Sequence, residues 1–583
     1  MGRYDDQADS TVTLDGDKAF LGVDANTSPT TLEPGMVAAA VNKIFDSGEA
    51  ITRPAFSTTD WASSWAVDFP IDFPFDFYRS GFGTTYGLAV FSDPYRQEAM
   101  LVAVETGVWR VGESITPELI GLPTGVSLDG PVQMVQAFDR VLMFRGPGKS
   151  TLLWNPAQDQ SLGLGSFEEV PDETNVDYTS TIPETSDGTV FLNRLWAPFG
   201  RDLVAVSDIL AYTRWDTVIN TLRVNSGTDD EIVRIFPYNQ QSLLVFKSRS
   251  IYLLSGLSGD DLLSTVSQDI LTPSLGAVSR NAIVQVGNDV WFLSSARSIN
   301  SVGQVLENSI KAAANPVSEA IQPIMDRINW GYASAAAATT DGRRAYFAVP
   351  LDGATHNNAI LVYNIINSVW EGYWEADFLD VLQFARSRYA GELAIFWIQG
   401  TTAGEALARG SLFHLSKLWE DMLYSNPQPI PDMITTRGYL LEDMDGKKGV
   451  RLQLLQRTWN PSYTVTAIAH DGSEVVLVAD QTKDRTVYYQ FGVTPYVTTN
   501  VNDDHGTEGR EDYSVVTQEG TLVLVPGSNG LDIGRHVTKV ERFDIRRPLG
   551  VFFQLRMESG QGRVIQKSIT LEGVASSRGY RRS

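Results

Sequence analysis

The 583-residue sequence has no cysteine, so disulfides, thiolate nucleophiles, Cys-ligated zinc and iron–sulfur clusters are excluded at the outset. Histidine is scarce. The five copies, His356, His414, His470, His505 and His536, show no metal-ligand or triad spacing, which argues against histidine-centred catalysis. No apolar stretch approaches the ~20 residues of a membrane helix, and Met1-Gly2-Arg3-Tyr4-Asp5-Asp6 lacks the basic start and apolar run of a signal peptide. A soluble chain with no membrane-spanning segment is expected. Basic residues are outnumbered, 46 Lys+Arg against 70 Asp+Glu for a net charge of −24. A surface that negative repels phosphate, so sequence-specific nucleic-acid binding is disfavoured. Long helical periodicity is nearly absent too.

What is present is a succession of short apolar runs bounded by Gly, Asn, Asp and Pro, the pattern of an all-β protein. A unit of strand, polar turn, strongly apolar strand, turn and strand recurs. Taking Leu101, Val141, Leu195, Leu243, Val290, Ala345 and Leu393 as markers of the apolar strand, the steps are 40, 54, 48, 47, 55 and 48 residues. A period near fifty with three or four strands per unit fits the blade of a β-propeller. Seven blades are expected, or six if the weak first and third copies are discounted. Strand spacing alone would also suit hairpins in two sandwiches, and the regular step favours the propeller.

The expected organisation is an N-terminal arm with opening strands (1–81), the propeller (82–420), a Pro-rich linker (421–432), a β-sandwich-like domain of longer alternating strands (433–576) and a basic tail (577–583). Two helices are expected, one after Asn315-Pro316 and one over about 412–423.

Several motifs invite a catalytic or ligand-binding reading. Gly146-Pro147-Gly148-Lys149-Ser150-Thr151 ends like a phosphate-binding loop, but Met143 stands where its first glycine belongs and a strand follows instead of a helix, so a hairpin turn is expected. Ser186-Asp187-Gly188-Thr189-Val190-Phe191 only caricatures the sialidase Asp-box, and the paired carboxylates of a propeller glycosidase cannot be identified from spacing. The acidic run 502–512 departs from the calcium-loop pattern. Seven acidic residues and no basic one between Phe167 and Gly188 read as a solvated loop. No catalytic residue, cofactor or metal is assigned.

More specific is Asp68-Phe69-Pro70-Ile71-Asp72-Phe73-Pro74-Phe75-Asp76-Phe77-Tyr78. Aromatics at this density are costly to leave in water. Either the arm wraps its own propeller or Phe69, Phe73, Phe75 and Phe77 bury against a neighbouring subunit.

The segment Leu21-Gly22-Val23-Asp24-Ala25-Asn26-Thr27-Ser28-Pro29, then Leu32-Glu33-Pro34-Gly35, Ala40-Val41-Asn42, Gly48 and Arg53-Pro54-Ala55-Phe56, resembles the start of the β-propeller tail nozzle (tail tubular or stabilisation) proteins of short-tailed bacteriophages. Ala55 stands where that family often has Gly. Leu243 to Gly256 and Asn288 to Ser294 resemble the family's blade strands, whereas the chain beyond residue 430 resembles it weakly. The resemblance implies a structural virion protein without catalytic residues, assembled in the host cytoplasm. It further implies a homo-oligomeric ring, commonly a hexamer, placed below the portal and adaptor, touching tail fibres or spikes and passing DNA without specific binding. The alternative is a glycan-binding or glycan-hydrolysing propeller on the virion surface. Six subunits of −24 would surround a lumen that repels DNA rather than trapping it, unless the charge lies on outer surfaces.

Overall fold

A computed structural model describes residues 10–14, 20–59 and 84–440, apart from 93–97, 113–114, 157–164, 171–172, 175–178, 181, 216–219, 258–264, 308–314, 390, 401–409, 419 and 424–425. From 449 to 574 it describes chiefly the strands named below. The chain is an all-β propeller of seven blades. Blades 1 to 4 are four-stranded antiparallel meanders whose innermost strands are Thr85–Phe91, Gln133–Ala137, Thr189–Phe191 and Ile232–Pro237. Blade 5 has three strands starting with Ile283–Val286 and is followed by the short helix Val302–Glu307. Blades 6 and 7 begin with Ala337–Thr340 and Val381–Tyr389.

All seven sequence markers fall in, or at the start of, the second strand of a blade. Side chains alternate across a strand, so each second strand sends every other residue to the preceding blade and the rest to the following one. Leu101 and Ala103 pack against Val141 and Met143 of blade 2, while Met100 and Val102 pack against Phe396 and Ile398 of blade 7. Leu243 and Val245 face blade 3, and Leu244 and Phe246 face Val290 and Phe292 of blade 5. Burial on both faces makes these strands read as unbroken apolar runs. The contact of blade 7 with blade 1 closes the ring.

Closure is completed from far upstream. Ala55–Thr58 is the fourth strand of blade 7, antiparallel to Leu412–Ser416. The N-terminal segment is therefore part of the propeller. It is also part of a second sheet: Gly22–Val23 lies antiparallel to the outer strand of blade 6 (Val369–Glu375) and parallel to Met36–Val41. Met36–Val41 pairs with Asp432–Thr436, which pairs with the 23-residue strand Phe552–Val574, itself antiparallel to the 21-residue strand Gly449–Ala469. The long C-terminal strands thus continue the sheet of blade 6, and Ser514–Gln518 with Thr521–Val525 forms a separate two-stranded hairpin.

Two expectations are corrected. The stretch 421–432 is not a linker: Asp421–Leu423 lies parallel to the ring-closing strand, Asn426–Gln428 pairs with Asp421–Leu423, and Asp432 opens the next strand. Pro427 is accommodated because Asn426–Gln428 is the last strand of its sheet, where a missing N–H interrupts no ladder. The helix expected over 412–423 is instead the strands Leu412–Ser416 and Asp421–Leu423; period-2 burial in the blade overrides local helix preference. After Asn315-Pro316 only a 3-10 turn, Glu319–Ile321, and a short helix, Gln322–Met325, form.

Candidate functional site

The innermost strands surround the propeller axis. They contain three arginines, Arg234, Arg386 and Arg388, and no carboxylate. The acidic excess of the chain therefore lies off the axis. Asp187, just ahead of the inner strand of blade 3, is a carboxylate held deep beside these strands and 2% exposed; Asp380, just ahead of the inner strand of blade 7, is buried to the same degree. The Asp187 Oδ2 accepts the Ile235 N–H of blade 4 at 3.3 Å, while its Oδ1 has no hydrogen-bond partner. Arg234 of blade 4 donates to the Arg280 carbonyl at 2.5 Å, and Arg280, ahead of blade 5, donates to the Ser186 carbonyl. Gln133 of blade 2 donates to the Gly188 carbonyl at 3.4 Å. A Cβ on Gly188 would sit 2.3 Å from the Phe144 ring, so only glycine lets blade 3 start this close to blade 2.

Burial pushes the Asp187 carboxyl above its ordinary range, opposed by the neighbouring Arg234 and Arg280 guanidiniums. Burial also draws Arg280 down, with Asp187 opposing. Asp187, Arg234 and Arg280 tie blades 3, 4 and 5 together at the axis, and the Gln133 bond adds blade 2. The charged side chains that act on Asp187 are those of Arg234 and Arg280. Sequence reading singled out Asp187 but missed Arg234 and Arg280. The available signal was an arginine inside the otherwise apolar run Ile232-Val233-Arg234-Ile235-Phe236.

The segment that carries the family resemblance is built around buried charge. Arg53 binds Asp421 through both guanidinium nitrogens at 2.7 and 2.6 Å, donates from Nε to Asn42 at 2.8 Å, and lies over the Phe56 ring at 3.6 Å. Lys43 pairs with Asp432 at 2.9 Å, both side chains fully buried, and also reaches Gln566 at 3.0 Å. Ala55 opens the ring-closing strand and is fully buried. Asn42 and Arg53 thereby tie this segment to blades 6 and 7, and Lys43 ties it to the long strand Phe552–Val574.

The remaining motifs fall into place as structure. Residues 146–151 form a turn between Arg140–Phe144 and Leu152–Trp154, Lys149 is engaged by Asp129, and a strand follows. Within the acidic run, Glu168–Glu169 edges blade 2, and Glu173–Thr174 pairs with Thr179–Ser180. The aromatics Phe69, Phe73, Phe75 and Phe77, and the run 502–512, lie outside the described residues. Among the described residues no group of three potential ligands could hold a metal ion, and no helix is long and apolar enough to cross a membrane.

A cavity of about 720 Å³ opens between blades 5 and 6 on the propeller face that carries the turns leading from each first strand to the second. Trp291 and Tyr363, their rings 4.8 Å apart, line it together with Asp24, Asp289, Glu307 and Glu319.

No family model and no curated protein matches the chain. Among solved structures, the CNH domain of AfRom2 is similar at 8% identity with a TM-score of 0.33, covering 58% of this chain and 98% of its own. A catalytically inactive virginiamycin B lyase from Staphylococcus aureus with quinupristin is similar at 14% identity with a TM-score of 0.36, covering 58% and 96%. The class of the protein, an all-β seven-bladed propeller, rests on the blade topology described above.

Proposed function

We propose that this chain is a structural subunit of a bacteriophage tail: a nozzle or hub that closes into a ring of six, extends the DNA channel below the portal and adaptor, and anchors fibres or spikes. It acts without catalysis. The observation that carries the reading is the segment 21–56, whose resemblance to tail nozzle proteins falls on Arg53 and Phe56, which lock it into blades 6 and 7, and on Ala40 and Val41, which share a core with Phe553, Leu555 and Met557 of a long C-terminal strand. A part that transmits load along a tail axis needs such a union between its globular body and its extended sheet. Electron microscopy of the purified chain and of virions tests the reading. Annular particles, and density on the tail axis at six copies or a multiple, are expected; a monomer absent from the axis overturns it. Replacing Phe73 and Phe75 with Ser should weaken ring formation while leaving the cooperative unfolding of the propeller intact.

The aromatic and polar lining of the cavity between blades 5 and 6 favours, as a second reading, a glycan-binding propeller on the virion surface. Saturable oligosaccharide binding that disappears in Trp291→Ala, in a protein that forms no ring, would select it.

A further inference from the structure

The hydrogen bonds around Asp187 do not suit a carboxylate. Buried at the axis, it receives a single N–H on Oδ2, from Ile235 at 3.3 Å, and nothing on Oδ1. The hydrogen bonds of the two guanidiniums beside it go to backbone carbonyls, from Arg234 to that of Arg280 and from Arg280 to that of Ser186. Gln133, the first residue of the blade 2 inner strand, lies within hydrogen-bonding reach of the same carboxyl and has a matching deficit. Its Nε2 donates to the Gly188 carbonyl at 3.4 Å, and its buried Oε1 has no donor. Buried acceptors without a donor are costly. An ionised carboxyl can only accept, whereas a protonated one also donates, so one proton on Asp187 satisfies both side chains.

We infer that Asp187 keeps a proton in the folded propeller and donates it from Oδ1 to Gln133 Oε1, which makes this bond a proton-dependent latch between blades 3 and 2. The latch does not depend on the ring reading. Loss of the proton leaves a buried anion facing an amide oxygen, with no water layer to separate the blades: the Phe144 ring packs so near Gly188 that a Cβ there would lie 2.3 Å from it. Burial disfavours the anion, while Arg234 of blade 4 and Arg280 ahead of blade 5 favour it. On the blade 2 side Gln133 and Phe144 carry no charge, and Glu184 of the same segment is turned to the Gly148 N–H at 3.0 Å. The carboxyl stands above its ordinary value of 3.8, so burial outweighs the two cations. A carboxyl raised in this way contributes its full stability below about pH 3.8 and loses it as pH rises through the folded value. A carboxylate held by arginines would give the opposite slope.

Asp187→Asn tests the latch in the full-length chain, because the amide it introduces can donate to Gln133 Oε1 at every pH. Urea denaturation of both proteins from about pH 4 to pH 8 should show the difference in midpoint moving in favour of Asp187→Asn as pH rises. A difference that stays constant, or moves in favour of the unmodified chain, overturns the inference. Infrared difference spectra at about pH 5, unmodified chain minus Asp187→Asn, should contain the carbonyl stretch of at least half a protonated carboxyl per chain, about tenfold more than an ordinary carboxyl gives there. Carboxylate bands alone overturn it, and would mean that the Gln133 amide is turned to donate to an ionised Asp187. Should Asp187→Asn fail to fold, Gln133→Leu keeps the acid and removes its acceptor: the protonated-carboxyl band should then move to higher frequency, and an unmoved band or none overturns the latch.

Discussion

His414 sits in the third strand of blade 7, almost fully buried, with its ring 4.5 Å from Tyr389 and 5.7 Å from Phe396. Burial lowers its pKa to about 4, so the folded chain keeps the imidazole neutral at pH values where the unfolded chain, titrating near 6.5, has already bound a proton. Its contribution is therefore present above pH ~6.5 and is lost as pH falls from there towards ~4, below which the loss is complete. The difference amounts to about 3 kcal/mol, and urea denaturation at pH 7 and pH 4.5 should show most of it, with the corresponding fraction missing in His414→Phe. Lys43 and Asp432 make a different prediction. Lys43→Ala leaves a fully buried carboxylate without its cation and should destabilise by about 3–5 kcal/mol, whereas Lys43→Met combined with Asp432→Leu should recover much of that loss, because desolvation of both charges is relieved together. Equal unfolding midpoints for the single and double variants would count against a buried pair.

At the scale of elements, the seam between blade 6 and the N-terminal strand depends on Gly372. Its φ is +87°, and a Cβ there would lie 2.2 Å from the Ala40 carbonyl oxygen. It follows a register shift that sets Glu371 apart, letting that carboxylate take Arg344 at 2.7 and 3.0 Å, the Asn364 amide at 2.9 Å and the Phe45 N–H at 3.1 Å. Gly372→Ala should cost on the order of 3 kcal/mol or more and, in hydrogen exchange, deprotect Met36–Val41 before the strands of blades 1 to 4. The blades themselves were legible in the sequence because each second strand is buried on both sides, which makes Leu243-Leu244-Val245-Phe246 stand out from its neighbours. The alliance between Val369–Glu375 and Gly22–Val23 was not legible. It joins residues more than three hundred positions apart, and two-residue strands carry no periodicity. The linker expected over 421–432 failed for a related reason: prolines report a missing N–H, which an edge strand tolerates as well as a loop does. At the axis, Asp187 stood out through its motif, whereas Arg234 and Arg280 become its partners only once three blades meet.

For the whole molecule, the distribution of charge decides how copies meet one another and how they treat DNA. Each chain carries −24, and six would carry about −144 before screening. Because the innermost strands hold arginines and no carboxylate, that excess belongs to the outer strands, the loops and the C-terminal sheet, the surfaces through which subunits of the proposed ring would approach. Like charges within a Debye length repel, and that length shrinks from ~30 Å at 0.01 M salt to ~8 Å at 0.15 M. Formation of the proposed ring, followed by analytical ultracentrifugation, should therefore strengthen as salt rises from about 0.02 to 0.3 M. The same field governs duplex DNA. In an electrophoretic shift assay at ~0.15 M salt the proposed ring should retain no DNA, since a chain of net charge −24 repels phosphate. Tight retention that falls steeply with salt, and that disappears in Arg386→Ser/Arg388→Ser, would show that the axial arginines reach phosphate and would overturn a conduit that lets DNA pass without gripping it.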